Sequence, residues 1–251
     1  MSLETQIAAL VNAANTLTNA VNGKMGDIDN KVLQTAAKFD EQVGRLKSQL
    51  PRIAVTKNFV MADPSNLGRP DAFGYHEEIS WSKVRTILQV SPAAGRPQAD
   101  IDLLAEIERD VKEVYPDFDI WKYEYYRQNF TVWQAQWTGM VNGPAYLLFP
   151  TASDSASTGG VASVPLNSYL TIGAFVKVID GSIAHSWSSG AQKGKWRWCS
   201  SILEPSTYFG GYTHLHPMRE TAKGVVQIAL VGACTGVVDN PAHWGAMMSL
   251  G

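Results

Sequence analysis

Apolar side chains recur in steps of three and four through the first fifty-odd residues: Leu3, Ile7, Leu10, Ala14, Leu17, Val21, Met25, Ile28, Val32, Ala36, Phe39, Val43, Leu46, Leu50 and Ile53. This spacing predicts one long amphipathic helix. A single stripe of such length has nowhere to fold back on and must be covered by copies of itself or by a partner helix. Residues 1–53 therefore read as a coiled-coil stalk. Leu3, Ile7, Leu10, Leu17, Val21, Ile28, Val32, Phe39, Val43 and Leu46 are its candidate oligomerisation positions.

Most steps alternate four and three, with Ile7, Ala14 and Val21 at a and Leu3, Leu10 and Leu17 at d. At Val21–Met25 and Val32–Ala36 a second step of four follows the first, and such stutters locally unwind a left-handed supercoil. Gly23 and Gly26 flank the first stutter. Glycine costs roughly 1 kcal/mol in a helix interior, so the helix is expected to loosen or break near residues 23–26. Pro51 is expected to end it. Ile or Val at a with Leu at d favours two strands. Val11, Ala13, Thr18 and Ala20 beside the seam, and the bulk of Phe39, favour three.

After the stalk the pattern changes. Residues 54–97 are rich in Pro and Gly and read as a neck of turns, with a strand over roughly Ile79–Val90. Ile101, Leu104, Ile107, Val111 and Val114 form one helical stripe, capped by Asp100 or a neighbour and stopped at Pro116. The period then becomes two. Trp121, Tyr123 and Tyr125 alternate with Lys122, Glu124 and Tyr126. Phe130–Trp137, Ala145–Phe149, Lys195–Ile202 and Gly224–Gly232 read as further strands. Residues 151–160 read as an exposed loop. Tyr169–Ile179, Asp180-Gly181 and Ser182–Trp187 read as a hairpin, because Asp-Gly suits its tight turns. The expected fold is α+β: an amino-terminal trimeric coiled-coil stalk, then, over residues 98–251, a mainly antiparallel β head with one helix. No internal repeat marks a β-helix.

Composition narrows the function. The formal charge of −2 over 251 residues gives no bulk attraction to nucleic acid or anionic membrane. No eighteen-residue apolar run predicts a membrane span, and no basic-then-apolar start predicts a signal peptide. Cys199 and Cys234 make no disulfide framework and read as buried thiols. Charged residues are only 18% and aromatics 10%, which suits strands, interfaces or sugar stacking.

Motifs for catalysis are missing: no nucleophile elbow, metalloprotease helix, phosphate loop or dinucleotide fingerprint is present. Asp117 with Asp119, or Glu77 with Glu78, would serve a glycosidase only at the right separation across a cleft, so the expectation is a protein that is not an enzyme. Trp196 and Trp198 share one strand face, with Lys195 and Arg197 opposite. These four are candidate ligand residues, aromatic rings stacking on sugars and cations holding acidic groups, though core packing is the commoner role of such rings. In a strand His214 and His216 point the same way, a half-site for a transition metal. Nothing in the sequence requires a cofactor.

The stretch Ala14-Asn15-Thr16-Leu17-Thr18-Asn19-Ala20-Val21-Asn22-Gly23-Lys24-Met25-Gly26-Asp27-Ile28-Asp29-Asn30-Lys31-Val32 resembles the amino-terminal stalk of tailed-bacteriophage tail fibre proteins. The resemblance covers about the first fifty residues only. It implies a homotrimer on a virion, made in a host cytoplasm, with the amino end toward other tail or baseplate proteins. The carboxyl end would be a tip that binds a host surface glycan or protein. It also implies that His214 and His216 from three chains hold a metal on the threefold axis. A connector or collar fibre binding other virion proteins is the alternative.

Overall fold

The computed structural model describes residues 2–74, 76–139, 146–152 and 163–249. The chain divides into two compact units, residues 1–49 and 50–251.

The first unit is a single helix, α1 (Leu3–Ser48). Ser2 caps it, its hydroxyl accepting from the Thr5 amide, and Glu4 in the first turn and Arg45 and Lys47 in the last complement the helix dipole. The expected break at residues 23–26 does not occur, and the helix runs through Gly23 and Gly26. Two local penalties of roughly 1 kcal/mol do not terminate a helix whose nucleation is already met along its length. It ends at Ser48, three residues before Pro51, with the Gln49 amide donating to the Arg45 carbonyl at 3.2 Å.

The second unit contains β1 (Ile79–Ile87), α2 (Gln98–Val111), β2 (Phe130–Thr138), β3 (Ser163–Pro165), β4 (Leu170–Asp180), β5 (Ile183–Ala184), β6 (Trp196–Leu203), β7 (Tyr212–His214), β8 (Met218–Arg219) and β9 (Lys223–Thr235). Five strands form one antiparallel sheet in the order β1-β2-β9-β4-β6. β3 pairs with β7 and β5 with β8 in two small sheets.

Both faces of the large sheet are buried. α2 lays Leu104, Ile107 and Val111 over Phe175, Trp196 and Trp198 on one face. A final 3-10 segment, Pro241–Ser249, adds Trp244 to the same cluster. Trp133, Trp137, Ile172, Val176, Val226 and Ile228 line the other face, under Phe73, Phe149 and Trp187 from the connections. β4 and β9 are therefore nearly continuous apolar runs. Two glycines make room for indole rings. A Cβ on Gly224 would lie 2.0 Å from the Trp137 ring, and one on Gly173 would lie 3.2 Å from Trp244. Two residues of β9, Leu230 and Val231, oppose one of β4, Ala174, between the pairs Gly173–Gly232 and Phe175–Ala229. Leu230 takes a φ of 52° at this bulge. The edge strand β1 carries a second irregularity between Lys83 and Arg85. Cys199 and Cys234 are buried and unpaired, and burial pushes their thiols up to about 12 and about 11.

Several expectations need correction. Residues 54–97, read as a neck, belong to the same compact unit as the rest, and the strand expected there at Ile79–Val90 forms as the edge strand β1. The hairpin fails in its pairing: the chain turns at Gly181, φ 73°, but β5 pairs with β8, because β9 and β6 already occupy both sides of β4. Asp100 does not cap α2. Its buried carboxylate accepts from the Leu88 amide at 3.1 Å and from Arg85 at 3.3 Å. Val114 falls beyond α2 and is exposed. Trp121, Tyr123 and Tyr125 lie in no strand. Of the strand expected at Ala145–Phe149, Ala145 is outside the described residues, and Tyr146 makes one bridge to Met218. Thr151 and Ala152 are buried, whereas the rest of the loop expected over 151–160 lies outside the described residues.

Candidate functional site

The apolar stripe of α1 is uncovered along its length. Leu10 is 71% exposed and Phe39 67%, and Leu3, Ile7, Leu17, Val21, Ile28, Val32 and Leu46 are likewise open, with Val43 half-buried. Polar groups flank it, among them Lys24 and Asp27 at 3.8 Å and Arg45, which donates to Gln42 at 2.7 Å. The hydroxyls of Thr16, Thr18 and Thr35 return to carbonyls of their own helix.

In the second unit the segment between α2 and β2 forms one wall of a cleft of about 620 Å³, with the Pro241–Ser249 segment as the other wall. Asp117, Asp119, Trp121, Tyr125 and Arg127 line it, over a floor that includes the buried Phe118. Trp121, Tyr123 and Tyr125 are 62%, 65% and 61% exposed. This wall has no regular structure, yet it is pinned from beneath. The buried Arg96 donates to the carbonyls of Leu88, Lys122 and Glu124 at 3.0, 2.5 and 2.5 Å, and its guanidinium lies 4.4 Å from the Tyr126 ring centre. The Tyr126 hydroxyl donates to the Ile120 carbonyl, and burial pushes that phenol well above its ordinary range.

The largely buried Glu108 accepts from Lys112 at 2.8 Å, Lys122 at 2.7 Å and the Ile120 amide at 3.4 Å. Burial alone would raise its carboxyl. The hydrogen bonds from Lys112, Lys122 and the amide outweigh it and hold the group down at about 2. Asp119 accepts from the Trp121 amide at 2.8 Å, and Trp121 takes a φ of 54°. At the far end Gln128 donates to the Met248 carbonyl across the cleft's two walls. Two carboxylates, a guanidinium and flat rings on a fixed wall suit a ligand with both hydroxyl groups and apolar faces.

The residues singled out from sequence fare differently. Trp196 and Trp198 share a face, as expected; both are buried under α2, with Trp198 bordering a cavity of about 310 Å³ beside Tyr115 and Arg197. Lys195 is exposed and Arg197 is buried, and both are engaged within the chain. Both bind Glu113 at 2.6 Å, and their hydrogen bonds lower its carboxyl. The quartet ties β6 to the end of α2, where Asp110 also accepts from the Trp196 amide at 3.0 Å. Glu78 is bound by Arg219 at 2.9 Å.

His214 and His216 both border one cavity, which His185 also lines, but they differ in exposure. β7 ends at His214, which is exposed and packs against the rings of Tyr146 and Tyr212. His216 is buried, and burial pushes it down to about 4 despite its hydrogen bond to the Pro150 carbonyl. Among the described residues no three His, Cys, Asp or Glu side chains group to hold a metal ion. Sequence reasoning missed Arg96 and Glu108, since nothing in their spacing marks residues that support a loop.

No helix among the described residues is long and apolar enough to cross a membrane. No protein-family model matches the chain, and no match is found among curated proteins or solved structures.

Proposed function

We propose that this chain is an oligomeric attachment protein: a tail fibre or similar virion appendage whose stalk is built by α1 and whose β-rich unit binds a host surface without covalent chemistry. The observation that carries this is the uncovered stripe of α1. Burying one Leu, Ile, Val, Phe or Met side chain is worth roughly 1.5–3 kcal/mol. Ten such residues contribute on the order of 20 kcal/mol per chain, enough to exceed an association cost of about 4–15 kcal/mol. The virion setting rests on the resemblance of residues 14–32 to tail fibre stalks. Binding at the second unit is supported by the pinned aromatic wall and its cleft.

Two measurements test this. Sedimentation of the full chain at micromolar concentration is expected to give a trimer; a monodisperse monomer overturns the assembly. Full-length protein is expected to sediment with bacterial cells or with their envelope polysaccharide. Trp121→Ala and Tyr125→Ala are expected to abolish that binding with melting nearly unchanged, because both rings are exposed. Binding to purified tail proteins and to no cell surface would favour a connector. Shortening of the polysaccharide on incubation would make the protein an enzyme.

A further inference from the structure

The seam of α1 follows a second period. Leu10, Val21, Val32 and Val43 stand eleven residues apart, as do Leu17, Ile28 and Phe39, and Ala14, Met25 and Ala36. Between Leu10 and Val43 the two stutters are therefore part of a regular repeat. In a helix of 3.6 residues per turn, eleven residues overshoot three turns by about 20°, whereas seven fall short of two turns by about 20°. A stripe of period eleven drifts in the sense opposite to a heptad and winds its partners with a slight right-handed twist. The unbroken helix through Gly23 and Gly26 is the form this repeat needs, since it requires no local unwinding.

The flanks of the stripe differ in sign. Measured from the line through Leu10, Val21 and Val32, Lys24 and Lys31 lie about 65° and about 100° to one side, and Asp29 and Asp40 lie about 65° to the other. Parallel helices around an axis bring the opposite flanks of neighbours together. Lys24 then faces the partner's Asp29, five residues further on, which is the usual offset of an ion pair across parallel helices. Antiparallel helices bring like flanks together, lysine against lysine. The apolar steps read the same in both directions, so charge and not spacing decides the direction. The exposed Val11 and Leu33 lie about 100° from that line, on the aspartate side. They extend the stripe beyond a two-helix seam and suit a helix with two neighbours.

We propose that α1 assembles as a parallel, in-register bundle of three copies with the slight right-handed twist of an eleven-residue repeat, and that Lys24 of each copy pairs with the partner's Asp29. This rests on the oligomeric function proposed above and adds direction, register and hand to it.

The test uses full-length chains carrying one added cysteine each, since Cys199 and Cys234 are buried in the core. Mild oxidation is expected to cross-link Val21→Cys and Val32→Cys chains, each with its own kind. Lys38→Cys, which a continued heptad would place in the seam, is expected to stay uncross-linked. Co-assembled Val21→Cys and tagged Val32→Cys chains are expected to give no mixed product. Lys24→Asp is expected to weaken association several-fold at low salt, and adding Asp29→Lys in the same chain to restore it. Efficient cross-linking through Lys38→Cys, a mixed 21–32 product, or no rescue by the charge swap overturns the proposal. In each of those cases the chain is still an oligomer, so the assembly reading stands; a monomer fails both.

Discussion

Glu108 is a carboxylate withdrawn from solvent and held by two lysines and an amide, and its worth depends on its charge. Its folded pKa of about 2 lies below the ordinary 4.5. Its contribution is therefore complete above pH 4.5 and lost as pH falls toward about 2. Glu108→Gln is expected to melt lower than the parent at neutral pH, with the difference shrinking to nothing over that interval; a difference unchanged at pH 2.5 would contradict the assignment. His216 behaves alike for another reason. Burial holds its folded pKa at about 4 against 6.5 for the unfolded chain, so the unfolded state gains a proton first. Stability is expected to fall between pH 6.5 and about 4, by at most ~3 kcal/mol from this group. His216→Asn should flatten that part of a melting-versus-pH profile. Residue roles were the least legible part of the sequence. Alternation placed Trp196 and Trp198 on one face correctly but left open which face is wet. That depends on α2, a non-local partner. His214 and His216 differ in burial because β7 ends at His214, and strand ends leave little mark in a sequence.

Among elements, those with long periodicity were read correctly in place and type: α1 apart from its expected break, β1, the body of α2, β2, β4, β6 and β9. Pairing was harder. Asp180-Gly181 did mark a turn, but the burial of β4 on both faces and both edges sends the following segment to β8 instead. The 117–127 wall alternates like a strand, yet the hydrogen bonds of Arg96 and Glu108 hold it in turns. The fit of β9 to β2 gives a sharp prediction. Trp137 is fixed over Gly224 by a 2.8 Å hydrogen bond from its indole to the Thr221 carbonyl. Gly224→Ala is expected to destabilise the unit by about 1–3 kcal/mol in chemical denaturation. On α1, Leu10→Asp and Leu17→Asp alter side chains already open to water in the single chain. Each is expected to dissociate the oligomer by placing an uncompensated charge in the seam. The melting of residues 50–251 should not follow.

For the whole molecule, division into a helix and a separate compact unit predicts two kinds of stability. A chain beginning at Leu50 keeps both cores of the sheet and is expected to fold as a monomer with a concentration-independent melting temperature. If α1 is covered by other copies as proposed, the full chain should lose helix signal at a temperature that rises with protein concentration, by mass action. One transition shared by both signals at every concentration would refute the separation. Three copies gathered by their stalks would hold their sheets at an effective concentration reaching the millimolar range. An open sheet edge at such density is a template for zipping one sheet onto the next. The kink of β1 between Lys83 and Arg85 therefore acquires a purpose beyond its own strand. It interrupts the straight row of amides and carbonyls, so that stalks gathering three sheets would crowd them without zipping their edges together.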